Sequence, residues 1–194
     1  MGSTIKTGIL GFTEIHELIE DGVIEFANHN SVNSNSLNVT LGNKFLAEQR
    51  CPASIGGLHY DSLEFSKRES PHYVEIHGGI HLGPGAFCLA SLVEKVNLPN
   101  NMICHVMLRS SAARMGLEHS YAGFGDSGYS GHLTLELKNF LQYHSIHLRG
   151  GDQICQLVFQ RGYPVPDDRT YGATGAKYSG DVGPQTIKKE HGTV

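Results

Sequence analysis

Apolar residues recurring at every second position constrain this chain more than any other feature of it. In His132-Leu133-Thr134-Leu135-Glu136-Leu137-Lys138 the leucines fall on alternate residues. A strand would gather them on one face, whereas a helix would scatter them around its axis. The pattern recurs in Ser36 to Gly42 and in Tyr73 to His77, which ends in Gly78-Gly79. Gly85 to Leu92 reads as a strand entered through the turn Leu82-Gly83-Pro84-Gly85, and Met102 to Leu108 as a buried strand. Further strands are predicted at Ser145–Leu148 and Ile154–Gln160, the latter preceded by the tight turn Gly150-Gly151-Asp152. A short helix is predicted from Thr13, its N-cap, to a stop at Gly22, with Ile15, Leu18 and Ile19 on one face. Many short strands with few helices predict a mostly β sandwich or barrel.

At 194 residues the chain suits one domain spanning 1–194, and no internal repeat is visible. A formal charge of −4 gives no reason to expect a nucleic-acid polymer or an anionic membrane as partner. The N-terminal residues lack an apolar signal region, and Lys6 stands where a myristoylation start needs Ser or Thr. Cys51, Cys88, Cys104 and Cys155 form no C-x-x-C pair and suit a reduced, cytoplasmic compartment as small apolar residues. The 12 histidines are scattered, without H-E-x-x-H. Gly78-Gly79 between His77 and His81 opposes a helix presenting both to a metal, so no metal site is expected. Ala47–Lys67 is weakly patterned and reads as a long loop or an excursion from the sheet.

Arg109 to Asn139 concentrates the residues suited to chemistry. Arg109-Ser110-Ser111-Ala112-Ala113-Arg114 follows a strand and reads as a helix start. Its serines can cap that helix, or the helix N-terminus and both arginines can hold an anion. Asp126 and Tyr129 lie among glycines in a turn, where the Asp either fixes the turn or contacts a sugar hydroxyl. Glu136 shares the polar face of its strand with His132, Thr134 and Lys138. It is either a wet-face residue or a pocket carboxylate able to accept and return protons. Beyond Arg161 the chain is rich in Gly and Pro and carries Tyr171, Lys177, Tyr178 and Asp181. That segment suits a frayed tail and a ligand-ordered arm equally. Gly123-Phe124-Gly125-Asp126-Ser127-Gly128 fits G-x-G-x-x-G but leads into a strand, so it is not a dinucleotide fingerprint. Neither H-x-E nor P-C-x-x-C, the marks of zinc-dependent deaminases, occurs.

Taken in order, these pieces resemble the dCTP deaminase family, whose fold is shared with trimeric dUTPases. Arg109-Ser110-Ser111-Ala112-Ala113-Arg114-Met115-Gly116-Leu117 matches the family signature. Asn38 to Phe45, Leu82 to Phe87 with Val93 to Pro99, Gly128 to Gly131 with Leu135-Glu136, and Ala176-Lys177-Tyr178 with Gly183-Pro184 match further blocks. The resemblance implies a distorted, jelly-roll-like barrel of dUTPase type, in which 162–194 is a flexible arm closing over the nucleotide. It implies hydrolytic deamination of dCTP to dUTP and ammonia without zinc, with Glu136 as base and Ser110 and Arg114 beside the attacking water. Arg109, Ser111, Tyr171, Lys177 and Asp181 would attend the nucleotide, with Mg²⁺ on the triphosphate. Asp126 and Tyr129 would meet the deoxyribose, and Ala122, Thr134 and Leu135 the base. Homotrimers with sites between subunits are implied, with hexamers an open alternative.

The sequence departs from that pattern at Asn38, Thr40, Leu108, Gly125, Ser127 and Asp181. Asp181 replaces a glutamine and would repel a triphosphate unless Mg²⁺ lay between. The alternatives are a dUTPase, or a bifunctional enzyme releasing pyrophosphate to give dUMP, and a catalytically inactive nucleotide-binding regulator. Arg-Ser-Ser, where dUTPases have Arg-Ser-Gly, and Glu136 favour the deaminase.

Overall fold

The structure, a computed structural model, describes residues 6–49 and 71–188. Cys51, His191 and most of the expected Ala47–Lys67 excursion lie outside those residues. The chain opens with β1 (Gly8–Ile9), helix α1 (Phe12–Glu20) and β2 (Ile24–Glu25). Ile15 and Leu18 are buried on one face of α1, as their spacing requires. The helix begins earlier than the expected Thr13, because Gly11 is the N-cap and its N–H donates to Glu14 Oε2 at 3.1 Å. The Glu14 carboxylate thus satisfies a free amide and sits at the positive end of the helix.

β3 (Leu37–Val39) and β4 (Leu41–Glu48) replace the single strand expected over Ser36–Gly42. The break falls at Thr40, whose N–H donates to Glu94 Oε2 at 2.9 Å instead of to a neighbouring strand. β5 (Tyr73–His77), β6 (Gly79–Leu82) and β7 (Phe87–Asn97) follow. β7 is longer than Gly85–Leu92 suggested, because it continues beside a later strand. β8 (Met102–Leu108), α2 (Ser110–Arg114), β9 (Leu117–Glu118) and β10 (Phe124–Gly125) lead to β11 (Ser130–Asn139). β12 (Ile146–Arg149) and β13 (Cys155–Arg161) complete the described strands.

These strands form two larger sheets and a two-stranded ribbon of β12 and β6, rather than one closed barrel. One sheet runs β1-β13-β8-β10 with β3 also on β13, and the other runs β5-β4-β7-β11-β9 with β2 also on β7. They share one apolar core, to which β3, β4, β7, β8, β11 and β13 all contribute. On β11, Leu135 and Leu137 are almost fully buried in that core. Thr134 and Glu136 therefore face the other way, as period-two alternation demands. The register of β11 against β7 shifts between His132 and Thr134. Glu94 sits in the irregular stretch of β7, only 3% exposed. Asn139 fixes the far end of β11: its buried amide donates to Leu82 O (2.9 Å) and His144 O (2.8 Å), and its Oδ1 accepts from Leu141 N.

The described cysteines are buried among these strands, and burial pushes the Cys88, Cys104 and Cys155 thiols up to about 12. They behave as the small apolar residues expected. His81 does not pair with His77. Its ring stacks on His147 across the ribbon at 3.8 Å, and His77 bonds Glu75.

Candidate active site

The outward face of β11 forms the floor of a cavity of about 420 Å³. Glu136 and Thr134 rise from that strand, with Leu133, Phe87 and Leu89 beside them and Ala122 and Phe124 along one edge. Tyr171, Tyr178, Asp181, Gln185, Thr186 and Ile187, all from the segment after β13, form the opposite wall. No Lys or Arg is among the described residues lining it. Burial raises the Glu136 carboxyl from 4.5 to about 7. The apolar surroundings penalise its charged form, and no cation among the described lining residues offsets the penalty. A carboxyl group poised near neutrality can take a proton from water and return it. Glu136 is thus a pocket carboxylate, not a wet-face residue.

The cavity brings together several of the expected residues: Glu136, Thr134, Ala122, Tyr129, Tyr171 and Asp181. Tyr129 is buried, donates its hydroxyl hydrogen to His132 O at 3.0 Å and meets the Tyr171 ring edge-on at 5.5 Å. Burial holds both phenols above their ordinary range. Ala122 reaches the edge on a loop in which Ser120 and Tyr121 both take positive φ (59° and 55°). Leu135 contributes no side chain here, because its isobutyl group belongs to the core.

Other expected residues lie elsewhere. Asp126 lines a neighbouring cavity of about 350 Å³ with Ser127, Arg169 and Thr174, and Tyr171 borders both spaces. Ser110, Ser111 and Arg114 are exposed on α2 and do not line the Glu136 cavity. The serines do not cap the helix: Arg109 is its N-cap residue and makes no side-chain cap. Arg109 instead donates from its guanidinium to Gln153 O at 2.9 Å. Lys177 is half-buried in the tail. Asp181 does line the Glu136 cavity, but it is 6% exposed and forms an ion pair with Lys188.

Two glycines of this turn, the departure Gly125 and the matching Gly128, are held by close neighbours. A Cβ on Gly125 would come within 2.5 Å of Cys104 Sγ, so the thiol fills the space that a larger residue there would need. A Cβ on Gly128 would meet the Thr170 side chain at 2.6 Å, and Gly128 also takes φ +83°, so this turn admits little but glycine. The residues missed from sequence are chiefly Gln185, Thr186 and Ile187. They follow Gly183-Pro184 in a segment without periodicity, so no pattern marked them.

No three His, Cys, Asp or Glu side chains converge on a metal-sized space among the described residues. No helix among them is long and apolar enough to cross a membrane.

Residues 9–162 match the model of the family described as dCTP deaminase-like. A dCTP deaminase of Haloarcula marismortui is 40% identical over 156 residues, covering 79% of this chain and 78% of the relative. A dUMP-forming dCTP deaminase of Coprothermobacter proteolyticus is 35% identical over 171 residues, covering 84% of this chain and 85% of the relative. The crystal structure of a 2'-deoxycytidine 5'-triphosphate deaminase from Agrobacterium tumefaciens superposes with a TM-score of 0.61 at 24% identity. That match covers 81% of this chain and 49% of the other, and it speaks to the fold. With the family model spanning most of its length, this chain belongs to the dCTP deaminase-like family.

Proposed function

We propose that the protein hydrolyses dCTP to dUTP and ammonia, with Glu136 as general base. The observation that carries this reading is a carboxyl raised to about 7 by burial in a nucleoside-sized, largely apolar cavity. Glu136 takes a proton from a water whose oxygen attacks the amine-bearing ring carbon. It then delivers that proton to the exocyclic nitrogen as the C–N bond breaks and ammonia leaves. Thr134 and the main chain at Ala122 and Leu135 read the base, and Tyr129 packs against the sugar.

A triphosphate needs cations, and the described lining of this cavity carries none. In our reading they come from Arg109 and Arg114, with Ser110 and Ser111, on the α2 of a neighbouring copy, and from Lys177 on the arm. The surface around α2 supports such an assembly. Met107, Met115, Tyr121 and Phe124 are each about half exposed or more, and a groove of about 420 Å³ runs beside Ala113. A homotrimer would place that face against each cavity. No carboxylate cage is found among the described residues, and in our reading Mg²⁺ rides on the phosphate oxygens and water. Nothing in this reading calls for a membrane or a nucleic-acid polymer, and we place the protein in the cytoplasm.

A second reading, deamination followed by pyrophosphate release to give dUMP, is favoured by Asp126. That carboxylate faces its own cavity across Tyr171 from Glu136, where it could orient a second water. One experiment separates the readings: incubate the protein with a panel of deoxynucleotides and assay ammonia and pyrophosphate together. Ammonia alone from dCTP supports the first, and both products support the second. Pyrophosphate from dUTP with no ammonia from dCTP would overturn the deaminase assignment, and binding without turnover would point to a regulator.

A further inference from the structure

We infer that Lys188 is a positioning residue of this site, closing 182–187 into a loop that seats the Gln185 amide on the Thr134 hydroxyl. The inference rests on the reading above, that the Glu136 cavity takes a pyrimidine nucleotide.

The segment is tied to β11 in two different ways. At its start the ties are main-chain: Gly180 N donates to Ser130 O at 2.7 Å, and His132 N donates to Asp181 O at 3.0 Å. Beyond Asp181 that ladder stops. Val182 is 80% exposed, Gly183 takes φ +76°, and Pro184 has no N–H to offer. The chain meets β11 again at Gln185, whose N–H donates to Thr134 Oγ1 at 3.1 Å. Lys188 then returns to the Asp181 carboxylate, and its ammonium lies 5.5 Å from the centre of the Tyr178 ring. Asp181 is buried, so its carboxylate needs this partner, and the ammonium closes the loop from its far end.

The loop has a chemical consequence. A hydroxyl has one hydrogen to give and lone pairs to accept. Gln185 N–H occupies one acceptor site of the Thr134 oxygen, which leaves the Thr134 hydrogen to donate to a ligand in the cavity. A donor at this position fits the ring carbonyl of a pyrimidine or the unprotonated N3 of cytosine. It opposes the N3–H of uracil, which is itself a donor. Aimed at N3, the Thr134 donor biases the cavity toward the cytosine nucleotide.

The test compares wild type, Lys188→Gln, Lys188→Arg and Asp181→Asn by amide hydrogen exchange and by steady-state ammonia release. Lys188→Gln should lose exchange protection at Gln185 while keeping it at Gly180. It should raise KM for dCTP about tenfold with kcat within about twofold, and narrow the preference for dCTP over dUTP in binding. Lys188→Arg should keep both properties, and Asp181→Asn should lose the Gln185 protection. Unchanged protection in Lys188→Gln would overturn the inference, as would lost protection with unchanged KM. A wild-type protein that releases no ammonia from dCTP would instead overturn the deaminase reading. In that case the exchange result would still decide whether Lys188 holds the loop.

Discussion

Glu136 shows how one residue can be costly to the fold and useful to the site. Below 4.5 its carboxyl keeps the proton whether the chain is folded or not. Between 4.5 and about 7 the unfolded chain releases that proton and the folded chain holds it, so stability falls as pH rises. Above 7 the cost levels off at about 3 kcal/mol. Glu136→Gln should therefore melt higher than wild type at pH 8 and alike at pH 4, as calorimetry at both pH values would show. The same change should lower kcat by about 100-fold or more while dCTP binding survives. Unchanged turnover would remove Glu136 from the role of base. In wild type, kcat/KM should rise with pH along a limb that reports this carboxyl. A guanidinium brought close by a neighbouring copy lowers a carboxyl pKa. Arg114→Ala should then move the limb to higher pH as well as reduce kcat, and a limb left in place would separate Arg114 from Glu136.

At the scale of elements, the strands were legible wherever apolar residues alternate, and β11 with its outward Glu136 could be placed from the leucines alone. What periodicity cannot report is which backbone groups a side chain satisfies. The start of α1 was misplaced because its N-cap is a glycine, and the signal resides in Glu14 reaching back to it. The break at Thr40 was invisible because Glu94, distant in sequence, takes its amide. The wall from Gln185 to Ile187 lies in a stretch without repeat, where only tertiary contact gives a position. The departure at Gly125 could be seen in the sequence but its reason could not, because the space beside it belongs to Cys104 on the paired strand β8. Gly125→Val should consequently cost about 1–3 kcal/mol from overpacking. Cys104→Ala in the same chain should recover part of that, measured by denaturant unfolding. A Gly125→Val protein as stable as wild type would refute this packing.

At the scale of the molecule, the proposed base and the proposed phosphate-holding cations sit apart on one chain. Glu136 lies in the cavity and Arg114 stands exposed on α2. Sites shared between copies make a clear prediction for mixing. Glu136→Gln and Arg114→Ala should each, alone, release ammonia far more slowly than wild type, and co-refolded they should regain about one quarter of wild-type ammonia release, as random assembly into rings allows. Sedimentation should report a trimer throughout, and no recovery on mixing would return the site to a single subunit. The cavity wall carries a consequence of another kind, one of timing. Residues 171–187 leave the ribosome after every strand they close against. A growing chain can assemble its sheets while Glu136 still meets water across the missing wall. The cavity wall is thus the last part of the proposed site to be synthesised, and proteolysis at exposed Val182 should remove ammonia release while the sheets stand.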